Sequence, residues 1–527
     1  MNKIKSFFQE LGPVRLVLLL GASLLLGGGA VAGHAAPLWK NAALTALAAA
    51  LFFLPGCLLL RLAAKRRLRL SGEGLAAFAL AWLVCSCLSP TLGKLLAASP
   101  LAGLATGGVP GRIAALADAL ASFFDLGLPH DLGAAAGLLV WALLLFALTK
   151  LFARLLRGAV ARGDLAVSER EQLKTRSVGI DALKAVGALF VMTIHGYLDN
   201  GYYDIDPTHV GMPTLTLVYT LLLCCVPLFM TATGYLLSHK RYSRDYLLGW
   251  FKYYVAFVVI ELFALPVTLG RQGLRLSFET LLSCLSFFGN GYFSMLFGVY
   301  LLAPALNTVY HAQKTMRAKL CLIGGLLFLT IGQSVLGRAF TRYWVPLSVL
   351  CFYLLGAFLR EYRVKLRGRL LLPGLACLSL LETLYILSVS VGRINAGFFW
   401  NAFNNYENTY FILPTFLLTF LLSAALIEVQ TLPRWLDRFC RSLSVHSLEL
   451  YLISSLVTHW LLWPPLKKVC GYTMLVALTP AVLVVETVLT WLMAVPIKKL
   501  SDWLYRGLFP KKAAPVPEAV DKSGVLP

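Results

Sequence analysis

Three ionisable residues stand in a stretch that is otherwise apolar enough to cross a bilayer. In "RSVGIDALKAVGALFVMTIHG" (176–196) they are Asp181, Lys184 and His195. Each costs about 3 kcal/mol or more in hydrocarbon, so each needs a partner or a task. Lys184 and His195 are eleven residues apart. On an α-helix that is about 20° beyond three full turns, which puts both on one face, roughly 16 Å apart along the axis. Ala188 and Val191 or Met192 lie between them with Gly187 beside, a lean strip of small side chains. Asp181, three residues before Lys184, is spaced to partner it. One face thus offers a cation at one end and, at the other, the side chain that most readily exchanges protons near neutral pH. A plainer reading makes Lys184 an interfacial anchor that snorkels to water and His195 a hydrogen-bonded helix end.

The elements that position these residues follow from composition. Of 527 residues 58% are hydrophobic and only 14% are charged, with a mean hydropathy of +0.75. Apolar runs of membrane-spanning length recur from end to end. The fold expected is all-α, a polytopic membrane protein of about 14 transmembrane helices. The net charge of +22 is a topology signal rather than a nucleic-acid footprint. Basic residues gather in alternate loops, as in "RLAAKRRLRL" (61–70), "SHKRYSR" (238–244) and "REYRVKLRGR" (360–369). Loops of that kind stay on the cytoplasmic side, which places both termini there, in a cell membrane. The eleven cysteines lie almost all in apolar runs without metal-ligand spacing, and read as small buried hydrophobes. No metal is expected.

Spans are predicted at 14–36, 38–60, 74–97 and 131–153, and again at 178–198, 213–237, 246–269, 290–310, 319–337, 344–359, 371–392, 409–428, 446–463 and 473–496. The shorter piece 278–289 reads as re-entrant or interfacial. This divides the chain into an N-terminal four-helix region (1–160), a cytoplasmic linker (161–177), a ten-helix domain (178–500) and a tail (501–527) that becomes disordered. The first span has features of a signal peptide, but its long apolar core favours an uncleaved helix. The loop 108–131 has the spacing of an interfacial amphipathic helix.

Several motifs in order resemble the acyltransferase 3 family of integral membrane enzymes, which O-acylate cell-surface carbohydrate. "IDALKAVGALFVMTIHG" (180–196) is similar to its first helix, whose signature is Arg or Lys, ten residues, then His; here Lys184 and His195. "VPLFMTATGYLLSHKRYS" (226–243), "GYFSMLFGVYLLAPALNTV" (291–309), "FYLLGAFLREY" (352–362) and "SLSVHSLELYLISSLVTHW" (442–460) resemble later helices of the same family. The resemblance covers about 178–500. The chain departs from it where paired arginines usually follow the second helix, here Arg241, Arg244 and a lone Lys252. It also has Tyr292-Phe293 for the usual tryptophan, and Ser454 where a histidine is common. Residues 1–160 resemble nothing familiar.

The resemblance implies a membrane O-acyltransferase that moves an acetyl or other short acyl group from cytoplasmic acyl-coenzyme A to a hydroxyl of an extracytoplasmic polysaccharide or glycolipid. Acyl-coenzyme A, presumed acetyl-coenzyme A, is then a co-substrate, with no cofactor bound permanently. Lys184, Arg241, Arg244 and Lys252 would hold its phosphates as point charges. Its arm would lie along the lean strip. His195 would take the hydroxyl proton, with Asp181 as a supporting carboxylate, and Tyr292 and Asn290 as candidate donors to the oxyanion. Whether transfer is direct or passes through an acyl-histidine stays open. The loops 195–209 and 393–410 mix aromatic rings with amides and carboxylates, which suits a sugar. Asp199, Tyr202, Tyr203, Trp400 and Asn404 are its candidate contacts. The partners expected are the donor, the glycan and the bilayer, with a homo-oligomer left open and nucleic acid excluded. Glu261, Glu382, Glu449 and Glu486 would pair within the bundle. In the alternative, a transporter or flippase for a lipid-linked sugar or polysaccharide, they would form a proton relay. A membrane sensor is a third reading.

Overall fold

The computed structural model of the protein describes residues 132–170, 177–200, 209–272, 277–286, 291–330, 346–392, 413–470 and 472–509, with isolated positions 77, 80, 81, 84, 202 and 205. Most of the expected first three spans, the loop 108–131 and the tail beyond 509 lie outside the described residues, as do Tyr203, Asn290, Trp400 and Asn404.

Helices dominate what is described. In chain order they begin with α1 (Leu132–Ala161), the strand β1 (Leu165–Glu169), α2 (Val178–Asp199), α3 (Met212–Leu222) and α4 (Cys225–Leu237). Then come α5 (Arg244–Gln272), α6 (Phe278–Leu285), α7 (Gly291–Ala312), α8 (Met316–Thr330) and α9 (Val349–Glu361). After the strand β2 (Tyr362–Leu366) follow α10 (Gly368–Gly392), α11 (Leu413–Ile427), α12 (Arg434–Val445) and α13 (Ser447–Leu456). A π-helical turn at Val457–Leu462, α14 (Trp463–Lys467) and α15 (Tyr472–Leu508) complete it. Among the described residues five helical stretches are long and apolar enough to cross a membrane: Val178–Asp199, Met212–Leu237, Arg244–Val267, Gly291–Ala312 and Leu478–Leu508. The spans read from the sequence between 178 and 496 each meet a helix; the count of fourteen is not reached by these five.

Local chemistry explains the boundaries. Ser177 caps α2 by accepting a hydrogen bond from the Ile180 amide at 3.4 Å, and Asp181 in the first turn complements the helix dipole. The break between α3 and α4 falls at Leu223–Cys224, because Pro227 has no N–H to give the Leu223 carbonyl.

The tightest contact joins α4 to α9. A Cβ on Gly234 would collide with the Tyr353 carbonyl, and one on Gly356 with the Thr231 carbonyl. Only glycine lets the two backbones meet there. At the end of this pair, Asn307 of α7 donates to the carbonyls of Leu237 (2.7 Å) and Lys240 (2.9 Å) and accepts from the Tyr353 hydroxyl (2.8 Å). His311 Nε2 lies 2.8 Å from the Ser238 carbonyl and its ring stacks on His239 at 4.9 Å. Lys319 of α8 and the Tyr310 hydroxyl both bond the Glu361 carboxylate, at 2.5 and 2.9 Å. Asn307 of the Pro304-Ala-Leu-Asn307 motif therefore ties α7 to α4 and α9, and Lys319 adds α8.

Two features modify the sequence reading. The fold is not purely α: within the expected linker 161–177, β1 pairs antiparallel with β2, Leu165 opposite Leu366 and Glu169 opposite Tyr362. The ribbon is clamped where Arg170 and Arg363 both meet the Glu428 carboxylate at 2.5 Å. The helix α12 is amphipathic. It buries Cys440, Leu443 and Ser444 and exposes Arg434, Trp435, Arg438 and Phe439, the pattern of a helix lying in a membrane interface.

Gly234→Ala and Gly356→Ala should each lower stability by about 1–3 kcal/mol through overpacking. Gly298→Ala, whose new Cβ would meet nothing within 4 Å, should raise it by up to about 1 kcal/mol. Thermal melting of the detergent-solubilised chain checks this, and wild-type melting of either first variant would refute the backbone contact. A second expectation concerns pH. The surroundings desolvate the exposed His239 and hold its pKa below the ordinary histidine value, with the Arg360 guanidinium and His311 pushing the same way. The unfolded chain therefore binds more protons below about pH 6.5. Stability should be complete above that pH and fall as pH drops toward the folded-state value. His239→Asn should flatten the slope of Tm between pH 7.5 and 5.5; an unchanged slope counts against His239.

Candidate functional site

Lys184 and His195 fall on one face of α2 and project into different surroundings. At the Lys184 end a cavity of about 750 Å³ opens between α2, α4, α5, α9, α12, α13 and α15. Its wall carries six Lys or Arg side chains against four Asp or Glu: Arg170, Lys184, Lys252, Arg360, Arg441 and Lys498 facing Asp181, Glu361, Glu449 and Asp502. His239 and His311 join them.

The pairing within this wall is selective. Lys252 is paired with Asp502 and Lys498 with Glu449, both at 3.0 Å. Glu449 is 2% exposed, so losing Lys498 would strand a buried charge at a cost of about 3–5 kcal/mol. Lys184 instead donates to the Ser444 carbonyl at 2.6 Å, and Arg360 to the Tyr235 carbonyl at 2.8 Å. A carbonyl orients a cation without cancelling its charge. Both side chains face the cavity, Lys184 with the carboxylates of Asp181 and Glu449 close enough to interact with it, and Arg441 is exposed beside them. Such a wall suits a polyanion whose charges spread over several groups.

Arg241 and Arg244 are exposed and are not among the residues lining the cavity. The sequence placed them with Lys184 because they follow the second helix closely. The cations that line the cavity instead include Arg360, one turn beyond Gly356 on α9, and Arg170, which follows the ribbon strand and is paired with Glu428. Arg360 lies in the motif 352–362 and Arg170 in the linker, but nothing local in the sequence brings either one beside Lys184.

The His195 end is aromatic. His195 Nδ1 lies 3.4 Å from the Ser454 hydroxyl, and its ring meets Tyr451 edge-on at 6.1 Å. Tyr451 packs against Tyr292 at 4.0 Å and Phe229 at 6.4 Å. Tyr292 thus stands one ring removed from the imidazole, and Tyr451, three residues before Ser454 on the same face of α13, is nearer. The i, i+3 spacing of Tyr451 and Ser454 was visible in the sequence, but their approach to His195 was not. The π-helical turn that follows packs against α2; such turns concentrate at functional sites.

The lean strip between the two ends is closed. Ala188, Val191 and Met192 are at most 1% exposed, and Gly187 faces Phe229 and the Cys225 carbonyl of α4. Small residues let α4 approach, so the strip is packed rather than left as a groove, and His195 does not line the cavity. Asp181 lines the cavity with Lys184, which puts it at the opposite end of α2 from His195. Tyr202 is 3% exposed; its hydroxyl donates to Thr216 at 2.8 Å and its ring stacks on Tyr219 at 4.6 Å. That is the environment of a core residue. Asp199 is half-buried at the end of α2. The carboxylates find different partners: Glu449 takes Lys498, and Glu382 accepts from Thr415 at 3.4 Å instead of from a cation.

Among the described residues no group of three or more His, Cys, Asp or Glu could hold a metal ion. Comparison with known proteins gives one match: residues 177–495 fit the family model of the acyltransferase 3 domain, described as an acyltransferase domain. Searches of curated proteins and of solved structures find no match. The matched region starts at the Ser177 cap, contains both ends of α2 and about the first two thirds of α15, and spans more than half of the chain. This protein, a helical membrane protein, therefore belongs to the acyltransferase 3 family.

Proposed function

We propose that the chain transfers an acetyl or other short acyl group from acyl-coenzyme A to a hydroxyl of a polysaccharide or glycolipid on the far side of the membrane. The observation that carries this is the cation-walled cavity of about 750 Å³ at one end of α2, the helix whose other end presents His195. The cavity end faces the cytoplasm, since the basic loops around it follow the positive-inside rule. Lys184 and Arg360, which are held by backbone carbonyls, bind the phosphates of the donor, with the exposed Arg441 beside them. These residues belong to the wall that the donor would occupy; no bound donor is required to explain the fold.

His195 then acts on the acyl end. Its imidazole takes the proton of the acceptor hydroxyl as that oxygen bonds to the thioester carbonyl carbon. The carbon–sulfur bond breaks, and the imidazolium returns the proton to the thiolate. The products are an ester and a free thiol, with no net proton exchanged. Ser454 fixes the imidazole orientation through Nδ1, which leaves Nε2 for the hydroxyl. The Tyr451 and Tyr292 hydroxyls are candidates to stabilise the oxyanion. Passage of the acyl group through His195 itself is the variant of this scheme in which thiol appears before acceptor is added. The alternative, a carrier for a lipid-linked sugar, draws support from Glu382, 1% exposed in the bundle interior and bonded by Thr415; it requires no thiol release.

The test is donor turnover by the purified chain in nanodiscs. His195→Ala should lower kcat by about 10²–10⁴ with donor affinity kept. Lys184→Met should weaken donor binding about tenfold or more, the worth of one charged hydrogen bond, with a smaller effect on kcat. Full turnover by His195→Ala would refute the base, and absence of both donor binding and thiol release in the wild type would favour the carrier.

A further inference from the structure

Between α11 and α13 the chain runs through α12, whose outward side divides into two unlike flanks. The inward side is fixed. Cys440, Leu443 and Ser444 are buried, and the helix packs on α2. Lys184 donates to its Ser444 carbonyl at 2.6 Å, and Trp491 of α15 to its Ser442 hydroxyl at 2.7 Å.

On the outward side Arg434, Arg438 and Arg441 recur at i, i+4 and i+7, which gathers them on a flank about 60° wide. All three are exposed, and among the described residues none of them is in a salt bridge. Asp437, the one carboxylate of α12, is half-buried and lies nearest Ser444 around the axis. Three outward cations therefore stand against one partly covered anion. About 110° further round come Trp435, 71% exposed, and Phe439, 41% exposed, one turn apart. Water would suit the first flank and not the second; hydrocarbon would do the reverse. A membrane surface offers both at once. Aromatic rings settle at the headgroup level, and guanidinium groups pair with phosphate there.

We propose that the outer side of α12 is a binding surface for anionic phospholipid, with headgroup phosphates on Arg434, Arg438 and Arg441 and with Trp435 and Phe439 seated at the acyl-chain boundary. Charge decides between lipids. A zwitterionic headgroup brings its own ammonium to the phosphate, whereas an anionic one leaves the arginines as the counter-charge. The surface runs up to the cavity, since Arg441 and Ser444 also line it. A leaflet that holds α12 thus steadies the carbonyl that orients Lys184. None of this depends on the transferase reading.

The experiment titrates the full chain in detergent with phosphatidylglycerol or phosphatidylcholine of equal chain length and counts retained lipid by native mass spectrometry. The wild type should hold phosphatidylglycerol about tenfold more tightly. The double variant Arg434→Gln/Arg438→Gln should lose that margin, about tenfold or more for two surface cations. Arg241→Gln/Arg244→Gln removes equal charge from another exposed segment and should stay within about twofold of wild type. Monodispersity and Tm report folding. In nanodiscs, Trp435 emission, taken as wild type minus Trp435→Phe, should be quenched by phosphatidylglycerol brominated near the glycerol end of its chains. Equal retention of the two lipids, or equal losses in the two double variants, would overturn the proposal in favour of diffuse attraction. Displacement of the lipid by soluble glycerol phosphate would overturn it in favour of a phosphate site. Unquenched Trp435 emission, or a dimer in the spectrum that Trp435→Ala dissolves, would show that something other than lipid covers this side.

Discussion

Where α4 crosses α9, two glycines bring one backbone directly against another, and much of the architecture hangs from that contact. Lipid supplies no hydrophobic drive between helices, so close packing and polar contacts must hold them. Gly234 and Gly356 each sit where a Cβ would strike a carbonyl of the facing helix. Arg360, one turn past Gly356, consequently reaches the Tyr235 carbonyl, the residue after Gly234. A cation of the cavity wall is thus aimed by a glycine contact. The same crossing fixes α4, whose Phe229 lies against Gly187 of α2. The position of α2, and with it both Lys184 and His195, depends on two residues that have no side chain.

The second organising relation is the antiparallel packing of α2 and α15. At one end Lys184 and Lys498 line a common cavity; at the other Glu486 approaches Asp199, one turn beyond His195. The middle is apolar on α2 and carries hydroxyls on α15, with Thr487 and Thr490 buried. Charge is therefore concentrated at one mouth, where water screens it, and acid–base groups at the other. Interactions between charges strengthen as the effective dielectric falls, so an intervening cation would shift every group on the face. The sequence keeps that stretch clear.

How much of this was legible beforehand depends on whether the signal was local. Apolar runs marked the helices from α2 to α15 other than the amphipathic α12 and the short α14, and an eleven-residue spacing placed Lys184 and His195 on one face; the structure keeps both. Relations across the chain left no local trace. Ser444 receives Lys184 from 260 residues away, and Ser454 reaches His195 from 259. Arg241 and Arg244, drawn from the resemblance to the family's arginines after the second helix, are exposed and stand outside the cavity wall. The β1–β2 ribbon was missed because a five-residue strand in a polar linker has no periodicity of its own; its partner 197 positions on supplies the pairing. The lean strip misled for a physical reason. Small residues mark places where something comes close, and here α4 came, not a ligand.

The separation of charge from acid–base chemistry along α2 follows from what a bilayer permits. A donor bearing several phosphate charges cannot follow its acyl group into hydrocarbon, since each charge there costs several kcal/mol. In the proposed reaction the phosphates must stop at a cation wall in contact with water. Only the neutral end can travel on. An imidazole can serve there because it works in its neutral form, whereas a lysine in its place would have to lose its proton first. Cations held by backbone carbonyls fit the stopping point better than cations held by carboxylates. A carboxylate must be displaced or repelled before phosphate binds, while the carbonyls of Ser444 and Tyr235 leave the charge available. The same reasoning accounts for the two paired lysines. Lys252 and Lys498 keep carboxylate partners, so they shape the wall and hold α5, α13 and α15 together, and Lys184 and Arg360 are left as the charges that can meet an anion.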